Sequence, residues 1–142
     1  MCQIVSSDTD EFHETLKKMQ QTFTCLEDCG KPVITCIHGA CIGAGLELIC
    51  ACDIRFATVN SQFSLKEVDL GIVADLGGLQ RLIKIVGSSS WVYDVCLSGR
   101  LFDGEEALRT GLVSQVFCSK DLMFSIYTQY VYQNQYFSRT CT

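Results

Sequence analysis

Residues 32–57 read PVITCIHGACIGAGLELICACDIRFA, and this stretch decides the fold. Its opening, Pro32–Ile37, is largely apolar and rich in β-branched residues, which predicts a buried strand. A turn of small residues follows at His38–Gly45, and Leu46–Cys52 has the character of a helix. Ile54–Ala57 is a second short run with β character. Strand, glycine-containing turn, helix and strand in this order predict a parallel β-α-β unit, and therefore the α/β fold class.

Upstream of this unit, the sequence predicts an amphipathic helix. Asp8 or Thr9 can cap a helix that starts near Asp10. Five apolar residues follow at spacings of four, three, four and three, which places them on one helical face. We expect this face to pack against the core: Phe12, Leu16, Met19, Phe23 and Leu26.

Downstream of the unit, short apolar runs alternate with turn-forming residues. Gln62–Leu65 has the pattern of a strand, and Asp103 is suited to cap a helix. The tail from Ser119 onward is compatible with a helix, although its aromatic content is unusual. The remaining predicted elements are helices at Leu79–Val86, Trp91–Leu97 and Glu105–Thr110, and a last strand at Leu112–Phe117.

Composition excludes several classes of function. The 142 residues suffice for one domain with a real core. A net charge of −5 argues against a nucleic-acid partner, because phosphate binding needs a basic surface. No apolar run approaches the ~20 residues of a membrane span, and no leader or transit peptide is visible. The ten cysteines fit neither a disulfide framework nor a paired zinc motif. We therefore expect reduced thiols, no bound metal and an intracellular protein.

The small residues Gly43, Ala44 and Gly45 stand where the helix after the turn begins. Such residues let a ligand approach the backbone closely. Unpaired amides at a helix start also point outward with the positive end of the helix dipole. That arrangement suits the oxyanion formed from a thioester carbonyl. Close packing of helix against strand is the alternative, and this stretch by itself slightly favours it.

Several acids in the central region are candidates for proton transfer. Glu47 is the single charged residue in the stretch Ala44–Cys52, and apolar surroundings raise a carboxyl pKa toward neutrality. Glu67 and Asp75 bracket a glycine-containing loop from which they could reach into a pocket. Ordinary surface charge is the alternative for each acid, and the preferred interpretation for Asp69. Solvated surface charge is also preferred over phosphate binding for three nearby cations: Lys66, Arg81 and Lys84.

Several segments resemble the signature of the enoyl-CoA hydratase/isomerase (crotonase) family. They are Lys31–Ile34, His38–Leu48 and Cys52–Arg55, and Phe63–Glu67, Gly77–Leu82 and Ala107–Val116 continue the resemblance in register. The resemblance implies a crotonase (ClpP/crotonase-like) spiral of ββα units, here partial. The family core would cover 23–117. An atypical segment, 1–22, holds the start of a helix before it, and an atypical tail, 118–142, follows it.

The resemblance also implies a site. The substrate would be an acyl-CoA thioester, without a cofactor or a metal. By position, Ala44 would donate one of two amides to the enolate oxyanion, with Gly43 and Gly45 beside it. Glu47 and Glu67 fall where hydratases of the family carry their two catalytic glutamates.

Asp75 bears on the subgroup, because hydratases typically have glycine at that place. The run Lys66–Asp75 instead resembles the dienoyl-CoA isomerases of fatty-acid β-oxidation, which convert 3,5-dienes to 2,4-dienes. One acid must then handle the proton at C2 and another the proton at C6, and Glu67 and Asp75 are the natural pair. Glu47 departs from this subgroup, which usually has aspartate there. Enoyl-CoA hydratase is therefore the alternative activity.

Family members have further strands before the position of Phe23, which supply the second oxyanion amide and much of the CoA pocket. They also have helices after Val116 that complete the pocket and build a trimer. We therefore expect weak or no activity from this chain alone, with a non-catalytic subunit or scaffold as a third alternative. By resemblance, the partners would be a family-type homo-oligomer, trimer or hexamer, and the compartment mitochondrial or peroxisomal. Apolar residues expected to be partly uncovered are Val33, Ile34, Ile37, Leu46 and Ile49.

Overall fold

The computed structural model describes residues 6–133. Its helices are α1 Ser6–Glu27, α2 Ala44–Ile49, α3 Gly78–Val86, α4 Ser89–Ser98, α5 Gly104–Arg109 and α6 Lys120–Gln133. Its strands are β1 Ile34–Ile37, β2 Ala40–Ile42, β3 Ile54–Thr58, β4 Gln62–Ser64, β5 Phe102–Asp103 and β6 Gln115–Phe117. A single-turn 3-10 helix lies at Glu67–Leu70.

The strands form two three-stranded sheets, and the first four strands alternate between them. One sheet has the order β1-β3-β6 and is parallel throughout. The other has the order β2-β4-β5, with β2 and β4 parallel and β5 antiparallel. The order β1-β2-α2 is therefore repeated as β3-β4-α3, so that each unit places one strand in each sheet before its helix. This arrangement confirms the predicted ββα units.

The region around α2 differs from the sequence prediction in two details. The predicted turn at His38–Gly45 contains the strand β2, because its residues pair with β4 in the register Cys41↔Phe63. The predicted helix at Leu46–Cys52 begins two residues earlier, at Ala44. Both differences bring regular backbone closer to Gly43, which separates β2 from α2.

Two apolar clusters hold the described elements together. The larger cluster includes the fully buried Leu46, Phe63 and Leu82, and the rings of Phe63 and Phe102 stack at 5.4 Å. The smaller cluster joins Phe56, Phe117 and Met123. Because Met123 lies in α6, the tail packs against β3 and β6 through this cluster.

The helix α1 is less buried than its pattern predicts. Phe12 is 63% exposed and Met19 44% exposed. Leu16, Phe23 and Leu26 are half-buried. The prediction of a core-facing helix is therefore wrong at Phe12 and Met19. The C-terminal half is attached through polar side chains.

The expectation of uncovered apolar residues holds only in part. Val33 and Ile34 are half-buried. Ile37, Leu46 and Ile49 are instead buried, and the expectation is wrong for them. All three lie in the larger apolar cluster, which side chains of α3 and α4 complete.

The cysteines of the described region act as small apolar residues where they are buried. Cys41 and Cys50 are both buried, and burial raises the pKa of each thiol to about 12. None of the eight cysteines between residues 6 and 133 is in a disulfide. In the same range, there is no group of three or more histidine, cysteine, aspartate or glutamate side chains that could hold a metal ion. No helix there is both long and apolar enough to cross a membrane.

Candidate active site

The first turn of α2 organises the site. Gly43, which precedes this helix, has φ 57°, a left-handed conformation that favours glycine. Its amide donates to the Ser64 carbonyl at 2.8 Å and is therefore occupied. Ala44 and Gly45 lie in the first turn, where an amide has no carbonyl of its own helix to donate to. Ala44 is an exposed residue at this helix start, whereas Gly43 shapes the turn.

Glu47 is buried beneath this turn, with only 1% of its surface exposed. Its Oε2 accepts a hydrogen bond from the Gly78 amide at 2.8 Å. The pKa of the Glu47 carboxyl is raised to about 7; burial is the largest cause, and the charges of Glu67 and Asp75 act in the same direction. Hydrogen bonds from the amides of Gly78 and Leu76 act in the opposite direction. The raised pKa predicted from the apolar surroundings of Glu47 is confirmed.

Glu67 opens the 3-10 helix, and its carboxylate lies against the backbone of Gly43. Its Oε1 is 2.9 Å from the position that a β-carbon on Gly43 would occupy. Its Oε2 is buried and has no hydrogen-bond partner in the described part of the chain. A buried oxygen without a donor costs free energy, roughly 1–3 kcal/mol for a neutral group and more for a charged one. Among the described residues, Glu67 therefore offers an unused acceptor beside Gly43, which directly precedes Ala44.

Asp75 lies on the segment between the 3-10 helix and α3. Its side chain is exposed, and its charge is close enough to raise the pKa of Glu47. The structure thus brings Glu47, Glu67 and Asp75 into one electrostatically coupled group. Asp69 behaves differently, because it pairs with Lys66 at 2.9 Å on the surface. That pairing agrees with the surface-charge interpretation of Asp69.

Arg81 has a structural position that the sequence did not reveal. Its side chain is only 14% exposed and pairs with Glu27 at 2.6 Å. The same guanidinium donates to the Leu76 carbonyl at 3.0 Å and to the Thr24 hydroxyl at 3.2 Å. The interpretation of Arg81 as solvated surface charge is therefore wrong. In the sequence, Arg81 stands out only by its place four residues after Gly77, within the segment Gly77–Leu82 that resembles the family.

The sequence model of the enoyl-CoA hydratase/isomerase family matches residues 3–130 of the chain. The chain is 50% identical to mouse mitochondrial Delta(3,5)-Delta(2,4)-dienoyl-CoA isomerase over 112 residues. It is 53% identical to the peroxisomal Delta(3,5)-Delta(2,4)-dienoyl-CoA isomerase of Arabidopsis thaliana, also over 112 residues. These matches cover 79% of this chain, but 34% of the mouse and 40% of the plant protein. The chain thus spans little more than a third of the length of these relatives.

Solved structures support the same relationship. A Thermobifida fusca protein assigned as an enoyl-CoA hydratase, solved with acetoacetyl-CoA, superposes with a TM-score of 0.83 at 29% identity. That match covers 89% of this chain and 49% of the other. An enoyl-CoA hydratase/isomerase from Cupriavidus metallidurans has a TM-score of 0.72 at 33% identity, over 76% of this chain and 40% of the other. This chain belongs to the enoyl-CoA hydratase/isomerase family and has part of the crotonase fold.

Proposed function

We propose that the protein moves the double bonds of a 3,5-dienoyl-CoA to the 2,4 positions. The observation that carries the proposal is the buried, unpaired Glu67 Oε2, close to the first turn of α2 that holds Ala44. A second acid, Asp75, belongs to the same coupled group. The names of the mouse and Arabidopsis relatives support the choice of a dienoyl-CoA substrate.

The proposed reaction exchanges two protons and needs no redox step. One carboxylate removes a proton from C2, and the electron pair of that bond delocalises, in conjugation with the two existing double bonds, into a trienolate with negative charge on the thioester oxygen. The Ala44 amide would stabilise this charge. A second carboxylic acid then delivers a proton to C6, which leaves double bonds at C2 and C4. Glu67 and Asp75 would share these two roles.

Glu47 would set the charge state of this group. With a pKa of about 7, it is partly protonated near neutral pH. A neutral Glu47 adds no further negative charge beside the carboxylate that acts as the base. The buried Glu47 and the half-buried Glu67 also favour a second candidate function, the hydration of 2-enoyl-CoA, in which one carboxylate activates the water and one carboxyl protonates the substrate carbon.

The direct test is an ultraviolet assay that follows formation of the conjugated 2,4-dienoyl thioester, on a hybrid in which 23–117 replace the matching segment of a full-length family member. Glu67→Gln and Asp75→Asn should each lower turnover by about 10²–10⁴-fold, whereas Asp69→Asn serves as the matched control. Turnover that is unchanged in Asp75→Asn would remove Asp75 from the mechanism. Hydration of 2-enoyl-CoA without a diene shift would reassign the protein as a hydratase.

We propose that full activity needs a second oxyanion donor from outside the described residues. A hybrid in which 23–117 replace the matching segment of a full-length family member should therefore exceed the isolated chain by ~10²-fold or more. Equal rates would contradict this proposal. An inactive chain that binds full-length subunits would favour the scaffold alternative.

The remaining parts of the proposal concern context. The named compartments of the relatives support a mitochondrial or peroxisomal site of action. Assembly into a family-type homo-oligomer, and activity without a cofactor or a metal, stay predictions. Light scattering of the purified chain tests the first, and activity after dialysis against a chelator tests the second.

A further inference from the structure

Gln20 connects α1 to the segment that carries Asp75. Its side-chain Nε2 donates to the backbone carbonyl of Asp75 at 2.7 Å, across 55 residues of sequence. This carbonyl belongs to the same peptide unit as the Leu76 amide, which hydrogen-bonds to the Glu47 carboxylate. A single peptide unit therefore accepts a hydrogen bond from Gln20 at its oxygen and donates one to Glu47 from its N–H.

The next peptide units repeat this arrangement. The Leu76 carbonyl accepts a hydrogen bond from Arg81, whose guanidinium also contacts Thr24 and Glu27 on α1. The Gly78 amide then donates to Glu47. Carbonyls of this segment thus face α1 and Arg81, whereas its amides face the buried carboxylate. The segment is held from both sides, and Gln20 supplies the contact nearest to Asp75.

We infer that Gln20 is a positioning residue for the proton-transfer group, which consists of Glu47, Glu67 and Asp75. Gln20 holds the Asp75–Leu76 peptide so that the amide of this peptide points at Glu47. The inference rests on the proposed function for its catalytic meaning, but the contact itself is independent of turnover. A hydrogen bond to a carbonyl polarises its peptide and strengthens the N–H of that peptide as a donor. Loss of the Gln20 donor should therefore weaken the bond from Leu76 to Glu47.

The sign of the effect follows from the surroundings of Glu47. The charges of Glu67 and Asp75 favour its protonated form, whereas the amides of Leu76 and Gly78 favour the carboxylate. The remaining neighbours in electrostatic contact are the cationic Arg81 and the thiols of Cys50 and Cys96. Replacement of Gln20 removes none of these groups, and a weaker hydrogen bond from Leu76 stabilises the carboxylate less, so we expect the pKa of Glu47 to rise.

The test compares Gln20→Met with Gln21→Met. Gln21 is the adjacent residue on α1 and is exposed, so it controls for the change in helix composition. The titration midpoint of Glu47 is read from carboxyl-carbon NMR of the full chain, with the signal assigned by its loss in Glu47→Gln. We expect Gln20→Met to raise the midpoint by roughly half a pH unit and Gln21→Met to leave it unchanged. Exchange of the Leu76 amide with solvent should accelerate only in Gln20→Met.

Equal midpoints in the two variants would overturn the inference, as would equal exchange rates at Leu76. Gln20→Leu, which lacks the donor but has a different shape, must reproduce the shift. If Gln20→Met does not fold, this second variant decides the outcome. Because no substrate is present, the measurement stands even if the wild-type chain shifts no diene. In an active chain or hybrid, the pH profile of turnover should move with the Glu47 midpoint in Gln20→Met.

Discussion

Replacement of Glu47 by glutamine should flatten the pH dependence of the free energy of unfolding. Glu47 is buried, and its folded-state pKa is about 7, against an ordinary value of 4.5. Between these two values, the folded chain holds a proton that the unfolded chain has released. The free energy of unfolding of the wild type must therefore fall as pH rises from about 4.5 to 7. Glutamine carries no titrating group and removes this contribution.

The difference between about 7 and 4.5, at about 1.4 kcal/mol per pKa unit, amounts to roughly 3 kcal/mol. The stabilising contribution is fully present below pH 4.5 and is lost as pH rises to about 7. A loss of this size is a large fraction of the 5–15 kcal/mol, roughly, that stabilises a typical domain. It should be visible beside the contributions of the other carboxyls, which both proteins share.

The assay is urea unfolding at intervals between about pH 4.5 and 7.5, followed by circular dichroism. The quantity that matters is the difference between the wild-type and Glu47→Gln curves, which should change by roughly 3 kcal/mol across the range. Glu105→Gln is the control, because Glu105 is an exposed glutamate on the first turn of α5. If wild type and Glu47→Gln gave parallel curves, Glu47 could not have the raised pKa on which the reasoning depends.

Three further outcomes follow from individual contacts. Gly78→Ala should destabilise the chain by roughly 1–3 kcal/mol in urea unfolding, because the new β-carbon would lie 2.5 Å from Glu47 Cγ; Gly30→Ala has no neighbour within 4 Å and should change little. Arg100→Lys should cost about 1 kcal/mol in thermal unfolding, because lysine cannot reproduce the two hydrogen bonds to Glu106; no loss would show that the pair is screened. In the folded chain, a thiol reagent should modify the exposed Cys25 and Cys118, and peptide mass spectrometry identifies the modified residues. The buried Cys41 and Cys50 should react only after urea is added, so their modification in the folded chain would contradict the packing.

Local patterns were sufficient for the central unit of the fold. The β-branched run before Gly43 and the small-residue start of α2 are decided within a few residues, so the strand and helix could be predicted from the sequence. The raised pKa of Glu47 followed for the same reason, since its apolar neighbours in the chain are also its neighbours in the core. Where sequence context and spatial context coincide, the prediction succeeds.

Non-local contacts explain the misses. The strand β2 has only three residues, and it exists because it pairs with β4, more than 20 positions later in the chain. The amphipathic pattern of α1 shows that one face is apolar, but it does not specify what covers that face. In the structure, the C-terminal half of α1 is anchored by Gln20 and Arg81, and neither residue carries a periodic signal.

The site itself shows why side-chain chemistry could be predicted while placement could not. The Glu67 carboxylate lies against Gly43, Glu47 against Gly78, and Arg81 against Gly77, each too close to leave room for a β-carbon. Each charged group thus depends on the absence of a side chain elsewhere in the sequence. Motif reasoning assigns roles to residues by the groups that they carry, and it therefore assigned roles to the acids but none to Gly77 and Gly78. Gly77 lies against Arg81, and Gly78 lies against Glu47. A β-carbon at either glycine should therefore disturb the proton-transfer group without removing any acid.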